Sequence, residues 1–100
     1  MKPLDEKLTG TWVTQEEDSD AVFAFIIKDG IFEVSGFERS DNEAFEITNV
    51  VWDGNALSFT AVMPSTGFRT QNIFRLRLDG NADLAFTSYE VWKKIETTKG

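Results

Sequence analysis

The sequence predicts an all-β domain, a small antiparallel up-and-down meander of eight short strands closing into a barrel. Three observations carry this. Nine Phe, three Trp and one Tyr fall in short runs alternating with polar residues, the period of half-buried strands. Asp-Gly occurs three times, at Asp29-Gly30, Asp53-Gly54 and Asp79-Gly80. Between apolar runs that dipeptide marks a tight hairpin, because such turns need positive φ. The Asp-Gly turns lie 24 and 26 residues apart, two strands and two turns each time. That spacing puts the tight turns at one end and looser loops at the other. No segment keeps a helical period beyond two turns.

One hundred residues make one domain, 1–100, with a leader over 1–9 that forms at most one short turn and a frayed tail over 97–100. The first strand covers 10–15 and ends in the acidic loop "EEDSD" (16–20). The second and third cover 21–28 and 31–39, joined at the first Asp-Gly. "SDNE" (40–43) leads into the fourth, 44–52. The fifth, 56–63, follows the second Asp-Gly, and "PSTG" (64–67) loops into the sixth, 68–78. The segments "VWDGNALSF" and "RLDGNADLAF" share the order turn, Asn, small residue, then Leu and Phe re-entering the core. The seventh strand is 82–88, and the eighth, 89–96, follows it with little or no loop.

Alternation assigns the faces. On the sixth strand Phe68, Thr70, Asn72, Phe74, Leu76 and Leu78 share one side, and Arg69, Gln71, Arg75 and Arg77 the other. On the fifth, Leu57, Phe59, Ala61 and Met63 face one way, Ser58 and Thr60 the other. On the fourth, Phe45, Ile47 and Val51 oppose Glu46 and Thr48. The second strand, "AVFAFII" (21–27), is apolar on both faces, so its outer side calls for a cover, and the leader around Leu4 and Leu8 is the segment at hand. Closing the meander removes its edge strands, which otherwise invite aggregation. The rival architectures are an open, strongly curved sheet and a two-sheet sandwich.

Composition narrows the chemistry. No cysteine means no disulfide, zinc-thiolate site or thiol nucleophile, and no histidine removes the commonest general base and transition-metal ligand. Nothing in the remaining Asp, Glu, Lys and Tyr resembles a nucleophile with its base and orienting group. The expectation is therefore a non-enzymatic protein with no metal and no cofactor. A net charge of −7 argues against nucleic acid or an anionic membrane as partner. "EEDSD" lacks the spacing of a calcium loop and reads as a solvated charged turn. The longest apolar run is too short to span a bilayer. With no signal-peptide core in the first 20 residues, the expected setting is the cytoplasm.

Gly10-Thr11-Trp12 gives a G-x-W at the start of the first strand of this meander, within "LTGTWVT". The arrangement resembles the calycin superfamily of lipocalins, fatty-acid-binding proteins and avidin-like barrels. "TSY" (87–89) is similar to the T-D-Y element of lipocalins, with Ser88 in place of Asp. The resemblance implies that Gly10 and Trp12 close one end of the barrel, with Lys93 or Lys94 of "EVWKKI" over the indole. The family has Arg there; Lys makes a cation–π contact but does not stack as a planar guanidinium does. The chain is also much shorter than a typical lipocalin and lacks the flanking segments and helix.

What the resemblance implies about function is a small apolar ligand in the barrel mouth. Phe59, Met63, Phe68, Thr70, Asn72 and Phe74 are the candidate contacts. Thr70 and Asn72, with Gln71 beside them, would orient the ligand, and "MPSTGF" (63–68) would serve as the portal loop. The plainer reading leaves Thr70 and Asn72 at a wet rim, the loop as an ordinary hairpin and Trp12 as a packing residue. A second function class is a protein-interaction or accessory module whose barrel is filled by its own Phe side chains. Arg69, Arg75 and Arg77 form an outward cationic row suited to an acidic protein surface, or to cross-strand pairing with Asp83 or Glu90.

Overall fold

The computed structural model describes residues 4–96. The frayed tail expected over 97–100, and the first three residues of the leader, lie outside the described residues. A 3₁₀ turn, Glu6–Leu8, precedes eight strands: β1 (Gly10–Trp12), β2 (Ala21–Lys28), β3 (Ile31–Glu38), β4 (Glu43–Ala44), β5 (Glu46–Trp52), β6 (Leu57–Val62), β7 (Arg69–Leu76) and β8 (Ala82–Tyr89). They form two four-stranded antiparallel sheets, ordered β1-β2-β3-β4 and β5-β6-β7-β8. Among the described residues no helix is long and apolar enough to cross a membrane.

The two sheets are one meander folded over at a single residue. The strand expected over 44–52 is split at Phe45, with β4 paired to β3 and β5 paired to β6. The Phe45 amide still donates to the Gly36 carbonyl (2.9 Å), so the chain turns from one sheet into the other without losing its backbone bond. Gly36 makes this corner possible. A Cβ there would sit 2.6 Å from Cδ1 of Phe23, the aromatic residue directly opposite it on β2. Freed of that clash, the Phe23 ring stacks on Phe45 (centroids 5.5 Å apart) and meets Phe59 edge-on (5.1 Å).

The core lies between the sheets. Phe25, Phe59, Leu57 and Leu8 are fully buried, and Phe23, Phe32 and Phe74 nearly so. The alternation expected on β6 and β7 holds within the strands: Leu57, Phe59 and Ala61 face inward, as do Asn72 and Phe74, while Arg69 and Arg75 are exposed. But β7 ends at Leu76 rather than at 78, and Leu78, expected on the inward face, is fully exposed beyond it. The first hairpin is the two-residue turn its Asp-Gly specifies, with φ of 53° at Asp29 and 78° at Gly30. The other two are longer. In each the Asp carboxylate accepts from backbone amides just beyond the Gly, Asn55 and Ala56 for Asp53 and Asn81 for Asp79.

Four expectations change. The leader does not cover the outer face of β2: Leu8 is buried in the core, and Ile26 remains exposed on that outer face. Val51 does not face inward. A β-bulge between Thr48 and Val51, with Asn49 at φ 56°, adds one residue to β5. Every side chain beyond it changes face, so Trp52 packs inward against Phe32 (5.4 Å) and Val51 is exposed. The strand expected over 89–96 does not form. β8 ends at Tyr89, and 90–96 has no regular structure, leaving Val91, Trp92 and Ile95 at least 80% exposed. Finally, β1 stops at Trp12 and no ladder joins it to β8, so the described residues do not close into a barrel. The molecule is a two-leaved meander, hinged at Phe45 and open along the β1–β8 seam.

Candidate functional site

Opening between the leaves, at the end opposite the Asp-Gly turns, is a cleft of about 820 Å³. This falls within the range of small-molecule sites, roughly 300–1,000 Å³. Each leaf supplies apolar side chains through strand alternation. Phe23 comes from β2, Phe45 from the corner, and Ala61 and Met63 from the end of β6. Leu84 and Phe86 come from β8, where the register places them beside Phe74 and Asn72 on the inner face. Phe86 is 62% exposed although it faces inward, because no strand lies across the seam from it.

The loop 63–68 is held in place by a neighbouring strand. Its backbone closes on itself through Met63 and Phe68 (2.8 Å) and through Gly67 and Met63 (2.7 Å). Glu43 of β4 then accepts from both the amide and the hydroxyl of Ser65, at 2.8 and 2.7 Å. One carboxylate thus ties the first sheet to the loop of the second, across the mouth of the cleft.

Two polar side chains lie within it. Asn72 is 2% exposed, and its Nδ2 donates to the Thr70 hydroxyl (2.9 Å) and carbonyl (3.3 Å). Above them the rim is acidic: Asp20, Glu38, Asp41 and Glu43 all line the opening, and among the described residues no Lys or Arg does. Partial burial, followed by the charges of Asp41, Asp20 and Glu43, raises the Glu38 carboxyl above the ordinary glutamate range. The carboxylates are too dispersed to chelate: among the described residues, no group of three or more acidic side chains is placed to hold a metal ion.

Of the residues singled out from the sequence, Met63, Phe68, Thr70 and Asn72 line the cleft together. Phe59 and Phe74 do not. They stack on each other beneath it (6.0 Å, 14° between planes) as part of the core. Gln71 faces the opposite side and accepts from Thr60. Sequence reasoning missed Phe23, Phe45, Leu84, Phe86 and the rim carboxylates. The alternation of Leu84 and Phe86 along β8 was the available signal for two of these; the carboxylates come together only through the fold.

The G-x-W stretch has a local explanation. Gly10 sits at φ 126°, a conformation side chains rarely adopt, in open space where a Cβ would meet nothing. Trp12 is half-buried. Its indole Nε1 donates to the Leu8 carbonyl (2.8 Å), and its ring lies 6.4 Å from Phe74. Lys93 and Lys94 are exposed beyond β8. In the cationic row, Arg69 stacks over Tyr89 (4.4 Å) and Arg77 pairs with Asp79 (3.3 Å) and Asp83 (3.7 Å). Both Arg77 pairs are solvated and contribute little to stability. Comparison with protein-family models, curated proteins and solved structures returns no match to this chain.

Proposed function

We propose that this protein binds a small, largely apolar molecule in the cleft between its two sheets. The carrying observation is the cleft itself: about 820 Å³, walled by Phe and Met side chains, with Thr70 and Asn72 as the few placed polar groups. The proposal agrees with the calycin resemblance, in which the ligand sits at the mouth of a closed barrel. In such a barrel the segment after Tyr89 would lie along the free edge of β1 and shut the seam. The alternative is a module whose interior is already filled and whose partner is a protein. The mutual packing of Phe25, Phe59 and Phe74 fills the end nearest the Asp-Gly turns in that way, and the exposed Val91, Trp92 and Ile95 offer an apolar contact surface.

A neutral apolar fluorophore, N-phenyl-1-naphthylamine, distinguishes the two. The expected result is saturable enhancement at one site per chain, weakened at least tenfold by Phe86→Asp. Phe86 is exposed enough for that change to spare the fold. Absence of saturable binding, or binding indifferent to Phe86→Asp, overturns the cleft as the site.

A further inference from the structure

Strand direction keeps the seam between β1 and β8 open. β4 and β5 are one pass bent at Phe45, and every neighbouring pair of strands is antiparallel. The first and last strands of the meander therefore run the same way. Both run toward the cleft mouth, since Trp12 lies opposite Phe23 near the start of β2, and Tyr89 lies opposite Arg69 just after the 63–68 loop. Antiparallel closure of the seam needs one further pass, running back. Residues 90–96 supply a segment for it, about 23 Å long when extended.

That reversal is disfavoured within one copy. A tight hairpin takes at least two loop residues, with a positive φ that Gly, Asn and Asp supply. From 84 to 96 the sequence holds no Gly, Pro, Asn or Asp, and β8 is paired with β7 as far as Tyr89. The chain instead continues outward with Val91, Trp92 and Ile95 exposed, and the molecule reaches 64 Å along its longest axis.

The receiving edge is unguarded. Among the described residues β1 pairs only with β2, and "LTGTWVT" around it carries no charge and no Pro. Edge strands are commonly protected by Lys, Pro or a bulge. In residues 90–96, Glu90 and Glu96 offset Lys93 and Lys94, although the whole chain carries −7. Segment and edge are thus the neutral parts of an acidic molecule. They meet without the repulsion that opposes other contacts between two copies.

We infer that two copies exchange these segments, residues 90–96 of each lying antiparallel along the β1 edge of the other and shutting its seam. A connection too short to turn back favours such an exchange. A second copy is the occupant because the exchange is reciprocal: one two-fold interface covers the exposed apolar side chains of both segments and the open face at Phe86 in both copies. Trp92 alone brings roughly 150–250 Å². Two segments with the surfaces they cover reach the roughly 1,000 Å² that a specific interface needs. The exchange depends on concentration, so in the dilute single chain the segment stays exposed and adds nothing to stability. It is independent of what the cleft binds.

Light scattering coupled to size exclusion, from about 1 µM to 1 mM, the range in which a weak dimer forms, reads the outcome. The parent chain should pass from one copy to two and stop there, with Trp emission shifting to the blue as the dimer forms. Trp92→Asp, at an exposed position, should weaken dimerisation at least tenfold without unfolding the monomer. Insertion of Asn-Gly after Tyr89 supplies the missing turn and should give a monomer at every concentration with blue-shifted Trp emission. A parent chain that stays monomeric throughout overturns the exchange, and blue-shifted emission in that monomer would place the segment on its own β1. Dimers equally strong in Trp92→Asp, or growth beyond two copies, overturn it as well.

Discussion

At the residue scale, Glu38 shows how placement changes a common side chain. On an exposed strand a glutamate is a solvating group; at this rim, burial and three neighbouring carboxylates favour its neutral form. The sign of the stability effect follows. A carboxyl that titrates higher in the folded chain than in the unfolded one binds protons more readily when folded. Its ionised form therefore opposes folding above the raised titration range, and the penalty vanishes below the ordinary glutamate range. Glu38→Gln should accordingly raise the thermal midpoint slightly at pH 7. The advantage should shrink as pH falls through the ordinary glutamate range, which thermal melts across an acid-to-neutral series would measure. A variant less stable than the parent at neutral pH would place a donor on Glu38 that the structure does not show.

At the scale of elements, two small irregularities decide which side chains reach the interior. Alternation read from the sequence places β6 and β7 with the right face inward, because nothing interrupts their period. It fails on β5, because Asn49 adopts a left-handed conformation and the extra residue reverses every face after it. No local pattern in "EITNVVW" separates a bulge from a plain strand; pairing with β6 selects it, since the bulge lets Trp52 cover Phe32. Asn49→Val, which disfavours the left-handed conformation at the bulge while keeping the residue count, should restore plain alternation, bring Val51 inward and expose Trp52. Half the burial of an aromatic is worth about 1–2 kcal/mol. The expected outcome is a loss of that size in urea unfolding, with a red shift of Trp emission. The same dependence on pairing explains the corner at Phe45. A continuous apolar pattern across 44–52 gives no sign that one strand serves two sheets.

At the scale of the whole molecule, the principal extents of 64 × 30 × 24 Å and a radius of gyration of 16.4 Å exceed those of a compact chain of this length, for which about 13 Å is usual. The segment beyond β8 accounts for this: it carries three large apolar side chains, each at least 80% exposed, and adds no strand. Truncation after Tyr89 should therefore change stability by less than about 0.5 kcal/mol, as loss of exposed residues does. Small-angle scattering should show a smaller radius of gyration. A large loss of stability would mean that the segment pairs with β1 in solution and closes the seam, as the calycin resemblance expects.

The sequence by itself determined the class of the fold, its antiparallel order, its three Asp-Gly turns and the inward faces of β6 and β7. These follow from chemistry that acts between neighbours along the chain: a period of two, and positive φ at Asp-Gly. It also named Met63, Phe68, Thr70 and Asn72, which come to line one cleft. The tertiary structure alone decided that the meander folds into two leaves, that Phe59 and Phe74 go to the core, and that Asp20, Glu38, Asp41 and Glu43 share a rim. Those outcomes depend on contacts between distant segments, where ring packing around Gly36 and charges from separate loops meet, and periodicity carries no record of them.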